Sequence, residues 1–175
     1  WLTRLLEQLL DTPIATASQS PSVGAEPPDP GPQVDWGDAP DVSKFYGRES
    51  ELALLTDWLL AQRCRVVSLL GMGGIGKTSL AARLAQDVAP RFEHIYWRSL
   101  RDAPSPAEWL GGGIAFLSDQ EVVPPATESE RLTGLLQLLR ERRCLIVLDN
   151  VEALFESGQR EGQYRPGMGG YGRLL

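Results

Sequence analysis

The feature that most constrains this chain is a run of glycines ending in a lysine and a threonine, residues 71–78 (GMGGIGKT). It fits the pattern G-x-x-x-x-G-K-[ST], in which glycines let the backbone turn so that successive N–H groups point inward. Those donors, with the positive end of a following helix, bind phosphate oxygens. Lys77 adds a charge for the β- and γ-phosphates, and Thr78 adds a hydroxyl for Mg²⁺. The motif therefore predicts a nucleotide-phosphate site.

The neighbouring segments predict the strands and the helix that such a site needs. Residues 65–70 (RVVSLL) are short, apolar and β-branched, which is typical of a buried parallel strand. Residues 78–88 repeat apolar side chains at helical spacing. A further buried strand is predicted over 145–148 (LIVL), and Asp149 follows at its carboxyl end, where ligands sit in open α/β sheets. Asp149 is thus the candidate for a second magnesium contact, made through a water.

Hydrolysis also needs a group that aims a water, and the chain offers a weak one. Asn150 follows Asp149, and an amide can orient water but cannot take its proton. Glu152 is the nearest carboxylate, although it also fits a solvated acid at a helix start. The candidate catalytic residues are Lys77, Asp149 and Asn150, and turnover is expected to be slow.

The remaining pattern indicates a parallel α/β fold. Helices are predicted over 49–61 and behind two capping boxes that begin at Ser105 and Thr127. A short strand is predicted over 94–98. Strands that alternate with helices favour a three-layer arrangement around a parallel sheet. Three strands are fewer than such sheets usually have, so we expect an incomplete domain, and we expect residues 158–172, with six glycines, to form a loop.

The N-terminal part has a different composition. Residues 1–10 repeat apolar side chains like the last helix of an upstream domain, and residues 11–43 hold seven of the 13 prolines. The latter composition predicts a disordered acidic linker, so the nucleotide-binding domain is expected over 44–175. The net charge of −6 comes from residues 1–43, because residues 44–175 hold 16 basic and 16 acidic residues.

Composition also excludes several classes of protein. The neutral charge balance of the predicted domain argues against a nucleic-acid partner for this region. No apolar run approaches the roughly 18–20 residues that a membrane span needs. Two cysteines cannot build a disulfide framework, which favours a reducing, cytoplasmic location. Trp1 and the Gly-Arg-Leu-Leu end suggest a piece of a longer protein.

Four segments in order resemble the NB-ARC domain of the signal-transduction ATPases with numerous domains, a branch of the P-loop NTPases. The first is GMGGIGKTSLA at residues 71–81, which is similar to the family's phosphate loop. The others are FYGRE at 45–49, FEHIYW at 92–97 and LIVLDNV at 145–151. The family usually has two acids where Asp149 and Asn150 stand, and this departure argues against fast catalysis rather than against binding.

The resemblance implies a set of nucleotide contacts. Tyr46 and Arg48 would lie against the adenine, although Tyr46 could instead pack over the following helix. The phosphates would be held by the loop and the start of the helix: Gly73, Gly74, Ile75, Gly76, Lys77, Thr78 and Ser79. Thr78 and Asp149 would hold the magnesium.

The resemblance further implies an ADP/ATP-binding switch with slow Mg²⁺-dependent hydrolysis. Bound ADP would hold the longer protein closed, and exchange for ATP would let it self-associate. Two alternatives stay open, namely an ordinary P-loop turnover ATPase or kinase and a non-enzymatic scaffold that keeps one nucleotide permanently. A DNA-binding regulator is a third alternative, which nothing basic in this region supports.

Overall fold

The computed structural model describes residues 31–156 and 163–174, in which two helices stand between each strand and the next. The strands are β1 (Gln33–Asp35), β2 (His94–Ser99) and β3 (Cys144–Asp149). The helices are α1 (Glu49–Leu60), α2 (Lys77–Val88), α3 (Pro106–Leu117) and α4 (Glu128–Glu141). Short 3-10 turns cover Ala89–Arg91, Val151–Leu154 and Gly169–Arg173. The helix predicted over 1–10 and most of the predicted linker lie outside the described residues.

The three strands form one parallel sheet in the order β1-β2-β3. Strand β2 pairs with β3 from His94 opposite Cys144 to Ser99 opposite Asp149. This confirms the parallel α/β class. Because parallel strands end at the same edge, the register sets Ser99 directly beside Asp149 at the carboxyl edge of the sheet.

Helices cover both faces of the sheet, as the three-layer prediction requires. On one face, α1 and α2 pack against Leu145 and Val147 of β3 and Trp97 of β2. On the other face, α3 and α4 pack around Tyr96 and Ile146. Alternate side chains of β2 and β3 thus enter opposite cores, which is why the sequence of β3 contains a continuous apolar run over 145–148.

Both predicted capping boxes are present. The Ser105 hydroxyl accepts from the backbone N–H of Glu108 at the start of α3, and that glutamate carboxylate accepts from the backbone N–H of Ser105. Thr127 and Glu130 make the same reciprocal pair at the start of α4. Each box satisfies donors that the first helical turn would otherwise leave unpaired.

The prediction of a buried strand over residues 65–70 is wrong for this structure. No helix or strand is assigned there, and none of the hydrogen bonds between described residues pairs this backbone with a neighbouring strand. Val67 and Leu69 pack towards α1, α2 and Leu145, whereas Val66 and Leu70 are 77% and 91% exposed. The apolar run therefore contributes one face to a core, but a strand also needs a hydrogen-bonded partner.

A strand appears instead in the proline-rich segment. Residues 33–35 pair with β2, and the Asp35 carboxylate forms an ion pair with Arg98. Val42 is buried and packs with Trp97 and with residues of α2. The described part of the predicted linker, residues 31–43, thus belongs to the folded unit. A few apolar side chains anchor it, although acids and prolines dominate its composition.

The glycine-rich tail also differs from the expected loop in its described part. Tyr171 is 1% exposed and packs on Trp109 of α3, and its hydroxyl donates to the carbonyl oxygen of Pro104 at 3.1 Å. Arg173 pairs with Glu128 at the start of α4. The buried Tyr171 ring and the Arg173–Glu128 ion pair hold this part of the tail against α3 and α4, although its glycines predict a flexible loop.

Candidate phosphate and magnesium site

The phosphate loop precedes α2 and ends in residues whose backbone only glycine adopts easily. Gly74 and Gly76 have φ angles of 78° and 86°, and Gly76 is the residue that caps α2. A Cβ atom on Gly73 or Gly74 would meet no other group within 4 Å, so the loop has open space beside its backbone. The positive end of α2 faces this space, as a phosphate site requires.

The Lys77 side chain folds back over the loop. Its Nζ donates to the carbonyl oxygens of Gly71 at 2.9 Å and Met72 at 3.0 Å. An ammonium group has three donors, so one stays free for an anion. Ser79 follows in the first turn of α2 and is half-buried. The Lys77 ammonium group, which is predicted to contact the β- and γ-phosphates, therefore lies against the loop.

Thr78 and Asp149, the two predicted magnesium contacts, are hydrogen-bonded to each other. The Thr78 hydroxyl donates to Asp149 Oδ1 at 2.9 Å, although 71 positions separate the two residues. The fold thus brings the first turn of α2 to the carboxyl end of β3. Mg²⁺ typically binds one or two protein oxygens together with substrate phosphates and waters, and this pair provides such oxygens beside the loop.

Asn150 follows Asp149, and its side-chain amide makes two hydrogen bonds to neighbouring side chains. Its Nδ2 donates to Asp149 Oδ2 at 3.1 Å and to the Ser99 hydroxyl at 3.0 Å. Its backbone is left-handed, with a φ of 57°, which asparagine tolerates better than most residues. Ser99 was not identified from the sequence. Its position directly after the strand predicted over 94–98 is the one signal that could have indicated it.

Arg48 braces the loop from the start of α1. Its Nη1 donates to the carbonyl oxygen of Ile75 at 3.3 Å, and its Nε donates to Glu51 at 3.0 Å. This hydrogen bond lowers the pKa of the Glu51 carboxyl below its usual value. Tyr46 is 85% exposed, so it does not pack over the following helix.

A groove of about 250 Å³ adjoins the loop. Apolar side chains from α1 and from residues 69–75 line most of it, and Arg48, Glu51 and Lys77 supply charge. Trp58 of α1 and Ile75 of the loop are among its apolar lining residues. The groove has the mixed apolar and polar lining that suits a planar ring next to a charged group.

The opposite edge of the sheet carries a separate polar cluster. His94 Nε2 lies 2.8 Å from Asp119, which also pairs with Arg142. Burial raises the pKa of the Cys144 thiol to about 11, so that cysteine stays protonated at neutral pH.

The described residues contain no group of three or more His, Cys, Asp or Glu side chains that could hold a metal ion. A magnesium ion at Thr78 and Asp149 would therefore depend on nucleotide oxygens and water for its other ligands.

A glycine loop that enters a helix beside a parallel sheet, with its threonine bonded to an acid on a neighbouring strand, defines a P-loop nucleotide-binding fold. The NB-ARC domain model matches residues 48–157, more than half of the sequence. The chain belongs to the NB-ARC family, whose members are nucleotide-binding domains of signalling ATPases.

The relatives are much longer than this chain. An uncharacterized WD repeat-containing protein of Nostoc sp. is 46% identical over 153 residues, which cover 82% of this chain and 12% of that protein. The probable disease resistance protein RF45 of Arabidopsis thaliana is 29% identical over 63% of this chain and 12% of its own length. The Arabidopsis disease resistance protein RPP13 is 29% identical over 60% of this chain and 14% of its own length. No solved structure gives a significant match.

None of the helices in residues 31–156 and 163–174 combines the length and the apolar character needed to cross a membrane.

Proposed function

We propose that this chain binds ADP or ATP with Mg²⁺ and acts as the nucleotide-dependent switch of a longer signalling protein. The observation that carries the proposal is the hydrogen bond between Thr78 and Asp149 beside the glycine loop. It joins the two oxygens expected to face magnesium at the place where the loop and the helix end can hold phosphates. Lys77 neutralises charge on the outer phosphates in this proposal.

We propose that the adenine ring of the nucleotide lies in the groove beside Arg48. Its lining combines Trp58 and Ile75 with the Arg48 guanidinium, next to the phosphate loop. A base in this groove would let Arg48 contact both the nucleotide and the loop. Tyr46 is exposed close by in sequence, which leaves its ring free to cover the base.

Hydrolysis in this proposal is slow. A magnesium ion held by Thr78 and Asp149 would supply positive charge that stabilises the negative charge developing on the phosphate oxygens. The chain itself would hold the phosphates with Lys77 and the loop N–H groups. Asn150, next to Asp149, is the group that we propose to orient a water. Both amide hydrogens of Asn150 already bond to Ser99 and Asp149, so its remaining group, Oδ1, can accept from a water but is too weak a base to take its proton.

Switching, self-association through the longer protein and a cytoplasmic location belong to the proposal as well. The family relation to disease resistance proteins supports a signalling role. Slow hydrolysis would let the ATP-bound state persist long enough to act as a signal. The proposal includes no nucleic-acid partner for this region, in line with its balanced charge.

The test begins with the nucleotide that purified protein carries. We would denature the protein, separate the released nucleotide by ion-exchange chromatography, and compare Lys77→Ala. The matched control is Lys44→Ala, which removes the only other lysine and lies outside the loop. The proposal predicts ADP in near-stoichiometric amount in the wild type and the control, and none in Lys77→Ala.

Exchange and turnover separate the alternatives. A switch releases its ADP when ATP is in excess and hydrolyses ATP well below the roughly 1–100 s⁻¹ typical of kinases. Turnover in that range would favour an ordinary ATPase or kinase. Bound nucleotide that never exchanges would favour a permanent scaffold.

A further inference from the structure

Ser99 is fixed at the carboxyl edge of the sheet by bonds on three sides. It pairs in register with Asp149, and its backbone N–H donates to Asp38 Oδ1 at 3.2 Å. Its hydroxyl oxygen accepts from the backbone N–H of Arg101 at 3.3 Å and from Asn150 Nδ2 at 3.0 Å. A hydroxyl oxygen has two lone pairs, and these two donors occupy both, which favours one position of the oxygen beside Asn150.

The Asn150 side-chain amide connects the Ser99 hydroxyl to the Asp149 carboxylate by hydrogen bonds. An amide nitrogen has two hydrogens, and here one donates to Ser99 and the other to Asp149 Oδ2 at 3.1 Å. The other carboxylate oxygen of Asp149 accepts from Thr78 at 2.9 Å. Both oxygens of the carboxylate are therefore held, one from the phosphate-loop side and one from the β2 side.

We propose that Ser99 is a positioning residue for the magnesium site, acting through the Asn150 amide to fix the rotation of the Asp149 carboxylate. This inference rests on the proposed function, because it assumes that Asp149 faces a magnesium–nucleotide complex. The energetic reason is preorganisation. A carboxylate already held in one orientation loses little freedom when the metal complex arrives, and residues that orient a metal-binding group typically change metal affinity about 10- to 100-fold when they are replaced.

The experiment compares nucleotide affinity with Mg²⁺ and with excess EDTA. The ratio of the two dissociation constants for ADP, measured by calorimetry, gives the magnesium-dependent gain for each protein. We would measure wild type, Ser99→Ala, Ser99→Thr and Ser129→Ala. The last makes the same chemical change on an exposed residue of α4 and serves as the matched control.

In Ser99→Ala we expect the magnesium-dependent gain to fall about tenfold, while the affinity in EDTA changes less than about twofold. Ser99→Thr keeps a hydroxyl on the same carbon and is expected to retain the gain, as is Ser129→Ala. In the Asn150→Ala background, adding Ser99→Ala is expected to cause no further loss, because the amide that connects the two groups is already gone.

Three results would overturn the inference. The first is an unchanged magnesium gain in Ser99→Ala. The second is an equal loss of affinity with and without magnesium, which would show a general structural role. The third is a further loss from Ser99→Ala in the Asn150→Ala background. A wild-type protein that binds no nucleotide in either condition would instead contradict the proposed function, and with it this assumption about Asp149.

Discussion

Thr78 and Asp149 show how far apart in sequence two residues of one site can lie. Lys77 and Thr78 were predicted from the glycine loop itself, which is a specific pattern. An acid after an apolar run is a weak signal alone, and Asp149 was predicted only because it follows such a loop. Their meeting at 2.9 Å depends on how α2 packs on β3. The roles of Ser99 and Asn150 as mutual hydrogen-bond partners could not be predicted, since they depend on the register of two strands 50 residues apart.

Replacing Thr78 by alanine should weaken magnesium-dependent binding. The change removes the hydroxyl oxygen that we propose as a magnesium contact, and with it the donor to Asp149 Oδ1. We expect the affinity for ADP with Mg²⁺ to fall about tenfold or more, with a smaller change in EDTA. Calorimetric titration measures both, with Thr78→Ser as the rescue and Thr133→Ala on the exposed face of α4 as the control. Equal affinities for wild type and Thr78→Ala would contradict the assignment.

The ion pair between Asp35 and Arg98 predicts a specific pH dependence of stability. The Arg98 hydrogen bond holds the pKa of Asp35 below its usual value. Because the folded-state pKa is the lower one, the stabilisation is present above the unfolded value near 3.9 and is lost as pH falls through the folded value.

Asp35→Asn is therefore expected to lower the free energy of unfolding at pH 7 by less than about 1 kcal/mol, since both side chains are partly exposed. The difference from wild type should shrink as pH falls below about 4. Urea unfolding at pH 7 and pH 3 measures it, with the exposed Asp102→Asn as the control. A difference that grows in acid would contradict the ion-pair account.

The elements were predicted unevenly, and the reason is the range of the interactions that define them. Helices α1, α2, α3 and α4 and their caps depend on neighbours within four residues, so apolar spacing and capping boxes located them. Strand β1 and the unpaired run at 65–70 depend on partners far along the chain. Composition misidentified β1 as linker, and an apolar run misidentified 65–70 as a paired strand.

Helix α3 shows why three glycines stand in a helix where they are costly. A Cβ on Gly112 would lie 2.9 Å from the Tyr96 hydroxyl oxygen, and the Tyr96 ring is buried and stacked on Phe116. A Cβ on Gly113 would lie 3.3 Å from Leu135. The glycines therefore allow α3 to approach the sheet and α4 closely, which outweighs their poor helix propensity.

Gly112→Ala should destabilise the protein despite improving the helix. Overpacking costs about 1–3 kcal/mol, and the gain in helix propensity returns up to about 1 kcal/mol. In a Tyr96→Phe background the clashing oxygen is absent, so the same substitution should be neutral or stabilising. Chemical denaturation of the four proteins measures this coupling. An equal effect of Gly112→Ala in both backgrounds would contradict the close-packing account.

At the scale of the whole molecule, the tail joins the core through Tyr171. Its ring contacts Trp109, and its hydroxyl reaches Pro104 at the loop before α3. Residues 163–174 therefore contribute to the α3–α4 side of the sheet, opposite the helix that carries the phosphate loop. Damage to this contact should lower global stability without altering the nucleotide site directly.

Tyr171→Ala is expected to lower the free energy of unfolding by about 3–5 kcal/mol, as for other buried aromatic residues. Tyr171→Phe, which loses only the hydrogen bond to Pro104, should cost about 0.5–1.5 kcal/mol. The exposed Val123→Ala serves as a control and should stay within about 0.5 kcal/mol of wild type. Denaturant unfolding measures all three, and a neutral Tyr171→Ala would show that the tail does not contribute to the core.

The most direct test of the central claim is whether nucleotide stabilises this protein through Lys77. We would measure the free energy of unfolding with and without Mg²⁺–ADP for wild type, Lys77→Ala and Lys44→Ala. At a ligand concentration 100 times Kd, wild type and Lys44→Ala should gain about 2.7 kcal/mol, and Lys77→Ala should gain almost none. A full gain in Lys77→Ala would contradict the assignment of the phosphate site, and no gain in wild type would contradict nucleotide binding by this chain.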